Sequence, residues 1–301
     1  MFKTYRRLSV HKVKLKYPIL YAFNYPLTYY SAYGFKPVSH IKRTLSDSNT
    51  EAIMMPNLVN NSSTIESRSQ KFMEQFQTLI NNSDDEKFHI VAHSFAGFDI
   101  RAMIHFYDLH DKVFSVSTLS TPHRGLTLLD NIINHPDARP YLVDALRPVG
   151  LTDFNAKEFT KDTMRELNEI MTPYETYHKL SYGSRTSIAN MNNQLKYPAS
   201  AIMGGDPLYE SDGITMPEDT EWGYTHGDDG LVGDEGFLKG EAAGVGYHFV
   251  FETDHYDIGG LSPNFDVRNI HNAVLDNIKL AEAKDDQELE KEYGYIQHQS
   301  M

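Results

Sequence analysis

Apolar and polar positions alternate between two periods along the first part of the chain. Tyr17 to Phe23 (YPILYAF) is an apolar run rich in β-formers, preceded by basic residues, and predicts a buried strand. Glu51 to Asn57, Lys87 to His93 and Val113 to Leu119 predict three more. Helical patterns lie between them. Pro37 to Leu45 predicts a short helix, and Ala96 to Leu109 another. Ile65, Phe72, Phe76, Leu79 and Ile80 share one helical face, opened by a Ser63–Glu66 capping box and closed at Asn81-Asn82-Ser83. Strands alternating with helices over short links predict an α/β fold with a mostly parallel sheet, covered by helices on both faces.

The pattern changes further on. Residues 126–198 show helical stretches and polar breaks without a convincing strand, which predicts an inserted helical cap or lid. Strand character returns at Ala199 to Met203, a Gly/Asp-rich loop fills 204–236, and His248 to Glu252 predicts the last strand. Val267, Ile270, Val274, Ile278 and Ala281 mark a closing helix, and Glu282 to Met301 is charged enough to fray. The expected organisation is a core of 1–125 and 199–285, a cap of 126–198, and a charged tail of 286–301. No repeat is evident.

Composition narrows the chemistry. The 301 residues include no Cys, which excludes a disulfide framework, thiolate metal sites and a Cys nucleophile. A net charge of −13 argues against nucleic-acid binding. Residues 1–46 nevertheless hold nine Lys/Arg and no acid, so a transient contact with an anionic membrane surface is an expectation beside that of a solvated strand flank. No apolar run approaches the ~20 residues that span a bilayer. The basic start lacks the apolar core of a secretory signal, and the expectation is an intracellular location.

Ala92-His93-Ser94-Phe95-Ala96-Gly97 stands where a buried strand turns into a helix. A serine on such a turn exposes its Oγ at the carboxyl edge of the sheet, and small flanking residues let the backbones close in. Taken alone, the turn is also what an N-cap serine looks like. Two later loops, His226 to Val232 and Thr253 to Asp257, bring an acid and a histidine beyond predicted strands, in the order Ser, acid, His.

With Asp99, Arg101 and Ser120-Thr121-Pro122-His123-Arg124-Gly125, this turn resembles the triacylglycerol lipase/esterase group of α/β-hydrolases, with its GHSxGGxxxR elbow and STPHRG loop. Ser63 to Arg68 resembles the group's S-x-x-x-R segment. Asp228-Asp229-Gly230-Leu231-Val232 resembles its NDGLV acid loop, and Asp254-His255-Tyr256-Asp257 its DHxD histidine loop. The resemblance implies hydrolysis of carboxylic, acyl-lipid esters through an acyl-enzyme. Ser94 would be the nucleophile, His255 the base and Asp229 the acid, with Asp212 or Asp234 the acids to turn to should Asp229 fail. The backbone amides of Phe95 and Tyr25 would form the oxyanion hole. His93, His123 and Arg124 would support these loops. A structural Ca²⁺ on Asp257 with Asp206 or Asp212 is a further implied possibility, and no organic cofactor is implied. Leu151, Phe154, Phe159, Met164, Leu167 and Met171 of the cap would line an acyl pocket or simply pack. Two departures stand out: Phe23-Asn24, followed by Tyr25-Pro26, replaces the group's His-Gly pair, and Ala96 replaces a Gly. The first leaves a rival expectation, a degenerate hydrolase fold that binds a lipid or protein partner.

Overall fold

Six parallel strands form one sheet in the order β2-β1-β3-β4-β5-β6. They are β1 (Ile19–Phe23), β2 (Ala52–Pro56), β3 (Phe88–His93), β4 (Val113–Leu119), β5 (His178–Arg185) and β6 (Tyr247–Glu252). The helices are α1 (Pro37–Ser46), α2 (Ile65–Asn82), α3 (Phe95–Phe106), α4 (Lys161–Met171), α5 (His255–Ile258) and α6 (Arg268–Gln299), with short 3-10 turns between some of them. This computed structural model describes residues 14–23, 37–46, 52–56, 64–82, 86–129, 156–196, 199–200, 211–222, 247–262 and 265–299.

The period of two along the strands builds two apolar layers. Ile19, Tyr21 and Phe23 of β1 and Val91 of β3 face one core with Ile41 and Leu45 of α1 and Val274 and Ile278 of α6. Leu20, Ala22, Ile90 and Ala92 face the other, under Phe72 and Phe76 of α2 and Ile100 and Met103 of α3. Parallel strands buried on both faces read as near-continuous apolar runs, as β1 does, while β3 and β4 intersperse buried His, Ser and Thr among their apolar residues. Thr64 starts α2: its Oγ1 accepts from Ser67 N at 3.2 Å, one residue later than the expected capping box.

The cap expectation needs correction. β5 lies inside 126–198 and pairs with both β4 and β6, so part of that segment belongs to the sheet. Its sequence, HKLSYGSR, is polar because its buried hydroxyls are hydrogen-bonded: Ser181 to His248 at 2.8 Å and Ser184 to Asp212 at 3.0 Å. Conversely, Ala199 and Ser200 are helical, where a strand was expected, and 201–210 lies outside the described residues. Phe159, Met164 and Met171 join the core, with Leu167 packed against it, while Leu151 and Phe154 lie outside the described residues. The expected tail is part of α6, which continues to Gln299. Lys16 of the basic start is tied to this helix, its N–H donating to Glu282 at 2.6 Å and its Nζ reaching Asp286 at 3.3 Å. The first 13 residues lie outside the described residues. Among those described, no helix is long and apolar enough to cross a membrane.

Candidate active site

β3 ends at His93 and α3 begins at Phe95, so Ser94 alone makes the turn, at φ 57 and ψ −137. A non-glycine residue with positive φ is held there only when its surroundings over-determine it. Here Ser94 N donates to Leu119 O at 2.8 Å, and Ser94 O accepts from Gly97 N at 3.1 Å and Thr121 Oγ1 at 2.7 Å. Ala92 and Ala96 are fully buried, so the methyl of Ala96 is accommodated at the position where the sequence resemblance implied glycine. As the first residue of α3, Phe95 has an N–H ahead of the intrahelical ladder. Its ring meets Phe159 at 4.2 Å between centroids.

His255 opens α5 just beyond β6. Asp254 caps that turn, accepting from Tyr256 N and Asp257 N, and its other oxygen holds Asn192 at 2.8 Å. His255 Nε2 lies 2.9 Å from Ser94 Oγ, and Nδ1 lies 2.9 Å from Asp212 Oδ2. An ionised carboxylate only accepts, so Nδ1 carries the ring proton and Nε2 is left to accept from the serine hydroxyl. His255 N also donates to Asp212 O at 2.9 Å, which joins the two loops through backbone as well.

Asp212 is fully buried. Burial alone would raise its pKa. The His255 ring and hydrogen bonds from His255, Thr215 and Ile214 outweigh that and hold the carboxyl below its ordinary value. His93, which anchors the His255 turn through Nε2 to His255 O at 2.9 Å, is pushed down to about 3 by burial and by the neighbouring His255. It is therefore neutral near pH 7 and donates from Nε2.

The site joins Ser94 and His255 as expected, but the acid needs correction. Asp212 occupies His255 Nδ1, the position assigned to Asp229, while Asp228, Asp229 and Asp234 lie outside the described residues. Tyr25, the second expected oxyanion donor, lies outside them too. So does Asp206, and Asp212 does not suit a cation: five donors fill its roughly four lone-pair sites. Asp257 lies beyond His255 on α5, where burial raises it to about 6. Among the described residues no group of three His, Asp or Glu side chains could hold a metal ion.

A signal for Asp212 was present. Ser211-Asp212-Gly213-Ile214-Thr215 repeats the Asp-Gly-aliphatic pattern of Asp229-Gly230-Leu231. Gly213 sits at φ 100, and a Cβ there would come 2.6 Å from Leu195 Cβ.

The remaining motif residues brace the site. Arg68 Nε contacts both Asp99 oxygens, at 3.0 and 2.9 Å, and its Nη1 reaches Glu158 at 3.1 Å. Arg101 pairs with Glu175 at 2.6 Å and donates to His123 Nδ1 at 3.0 Å. His123 Nε2 must then carry the ring proton, 2.8 Å from Thr118 Oγ1. Arg124 pairs with Glu221.

This parallel sheet, with its strand–serine–helix turn and helices on both faces, is the α/β-hydrolase fold. Solved structures of lipases share it. The mature form of Bacillus licheniformis lipase BlEst2 is 15% identical, with a TM-score of 0.58 over 86% of this chain and 92% of that one. Lipase 1 from Pelosinus fermentans is 15% identical, with a TM-score of 0.61 over 88% and 98%. Staphylococcus hyicus lipase is 14% identical, with a TM-score of 0.59 over 91% and 98%. At such identities the likeness speaks for the fold alone. No protein-family model matches the sequence, and no curated protein sequence does.

Proposed function

We propose that the protein is a serine hydrolase of the lipase/esterase type, acting on carboxylic esters, including acyl-lipid esters. The observation that carries the reading is the continuous hydrogen-bonded line from Ser94 Oγ through His255 to Asp212, at 2.9 Å on both sides of the ring. Ser94 Oγ attacks the ester carbonyl while His255 Nε2 takes its proton. Asp212 keeps the imidazole in the required tautomer and stabilises the imidazolium that forms. The Phe95 amide, with an amide of the loop after β1 such as that of Tyr25, binds the tetrahedral oxyanion. His255 then gives the proton to the leaving alcohol. Water, deprotonated by the same nitrogen, releases the acid from the acyl-serine. These steps draw on side chains, backbone and water, and on no organic cofactor.

A fluorophosphonate probe and a panel of p-nitrophenyl esters of graded chain length test the reading together. Wild-type protein should label at one serine and hydrolyse at least the short esters, and Ser94→Ala should do neither. Folded wild-type protein that neither labels nor hydrolyses would overturn the proposal and leave the fold as a binding module.

A further inference from the structure

Asp212 receives five donors, yet one of them is itself supported from further away. Ile214 N and Thr215 N serve Oδ1 at 2.9 and 2.6 Å. Thr215 Oγ1, His255 Nδ1 and Ser184 Oγ serve Oδ2 at 2.8, 2.9 and 3.0 Å. Ser184 has one hydroxyl proton, and the carboxylate takes it. Ser184 Oγ also lies 2.6 Å from Ser120 Oγ. With its own proton spent, Ser184 can only accept there, so Ser120 donates. The order is Ser120 to Ser184 to Asp212, with all three side chains fully buried.

The backbone of Ser120 is bent to make this contact. β4 pairs with β5 through Leu119 and Tyr182, so an extended continuation would set Ser120 beside Gly183, on the opposite face from Ser184. Instead Ser120 adopts φ 46, while its N–H keeps the ladder bond to Tyr182 O at 2.7 Å. Ser120 thus ends a central strand at a positive φ, with its hydroxyl 2.6 Å from Ser184 Oγ, which itself serves Asp212.

We propose that Ser120 is a positioning residue for Asp212, acting through Ser184, and that the two hydroxyls hold the carboxylate in its ionised, His255-directed state. The inference rests on the hydrolase reading above. It also divides the labour of the loop: Thr121 holds the nucleophile's carbonyl, while Ser120 holds the acid. Among the described residues His255 is the titratable side chain in contact with Asp212. The base is faced by His93 from β3 and flanked by Asp254 and Asp257 on its own turn.

The test compares Ser184→Ala, Ser120→Ala, Ser120→Gly and the double alanine variant. Ser120→Gly removes the hydroxyl at a φ that glycine adopts freely, so it remains informative if another variant folds poorly. Ser117→Ala, at a buried β4 hydroxyl outside the relay, is the control. Taking a donor from the carboxylate leaves more of its charge for the imidazolium, so the site stays protonated to higher pH. The acidic limb of kcat/KM should move upward by about 0.3–1 pH unit in Ser184→Ala, and less in either Ser120 variant. KM should hold. The double variant should match Ser184→Ala, because Ser120 acts only through Ser184. The NMR resonance of the His255 Nδ1 proton should move in the same order, and Ser117→Ala should shift neither readout.

An unmoved limb and resonance in a folded Ser120 variant would overturn the proposal. So would an additive double variant. If wild-type protein neither labels nor hydrolyses, the hydrolase reading fails by itself, and the Nδ1 resonance still decides whether the relay exists.

Discussion

Gly97 lies directly beneath Thr121: a Cβ on Gly97 would come 2.1 Å from Thr121 Oγ1 and 2.9 Å from its Cγ2. Thr121 is stiff at χ1, and its hydroxyl is already committed to Ser94 O at 2.7 Å, so it cannot simply swing away. Gly97→Ala should therefore destabilise the fold by ~1–3 kcal/mol. It should also displace the elbow enough to cut kcat by about 100-fold. Urea denaturation and fluorophosphonate labelling rates check the two effects separately; full-rate labelling of this variant would contradict the account of the turn.

Exchange of the two candidate acids for amides separates them. Asp212→Asn keeps the shape of the side chain but can present an N–H to His255 Nδ1, which favours the wrong tautomer. We expect kcat to fall by roughly 10⁴, with some loss of stability because four other donors lose a charged acceptor. Asp229→Asn should leave kcat near the wild-type value. Steady-state hydrolysis of one p-nitrophenyl ester by both variants is sufficient, and the reverse ranking would restore Asp229 as the acid.

Acid stability should carry the mark of His93. Its folded value is pushed down to about 3 from an ordinary 6.5, so between those limits the unfolded chain binds a proton that the folded chain refuses. Stability from this residue is complete above pH 6.5 and is lost as pH falls towards 3, at about 1.4 kcal/mol per pH unit once well below 6.5. Asp219 and Asp257, both raised to about 6 by burial, act in the opposite sense: they favour the folded state at low pH and lose that contribution as pH rises from 3.8 to 6. The buried His89, His123 and His248 are lowered as well and add to the His93 sense. Replacing His93 by Asn should therefore make the slope shallower between pH 6 and 4. Chemical denaturation at several pH values gives the slope directly, and an unchanged slope would mean that His93 is protonated in the folded protein.

The Arg68–Asp99 pair is buried on both sides, and Arg68 also carries Glu158 from the turn that packs Phe159 onto Phe95. Asp99→Asn leaves a buried guanidinium with only part of its compensation. We expect a loss of ~3 kcal/mol. The surviving folded fraction should keep its KM, because neither residue touches the reacting atoms. A changed KM would assign this pair a part in substrate binding.

What could be read in advance follows from what burial does to a sequence. β1, β3 and β4 are buried on both faces and carry mostly apolar side chains, and the Ser94 turn needs small neighbours, so both left a visible pattern. β5 left none. Its serines are buried because Ser181 and Ser184 find partners in His248 and Asp212, and partners distant in sequence do not show in a local window. Two Asp-Gly-aliphatic stretches, at Asp212 and Asp229, lie between β5 and β6, and the local pattern alone does not say which of them meets His255. The tautomers of His123 and His255 were equally out of reach, since they are set by Arg101 and by Asp212.

From β3 to β6, the order of strands across the sheet is also their order along the chain. During synthesis the serine is therefore made long before the histidine that would activate it, and that histidine follows the outermost strand of this half. On the proposed function, a chain released before residue 255, or one whose last strand is undocked, would carry an elbow without its base. Reactivity would then report completion of the sheet, and a partly made chain would be chemically quiet toward esters around it.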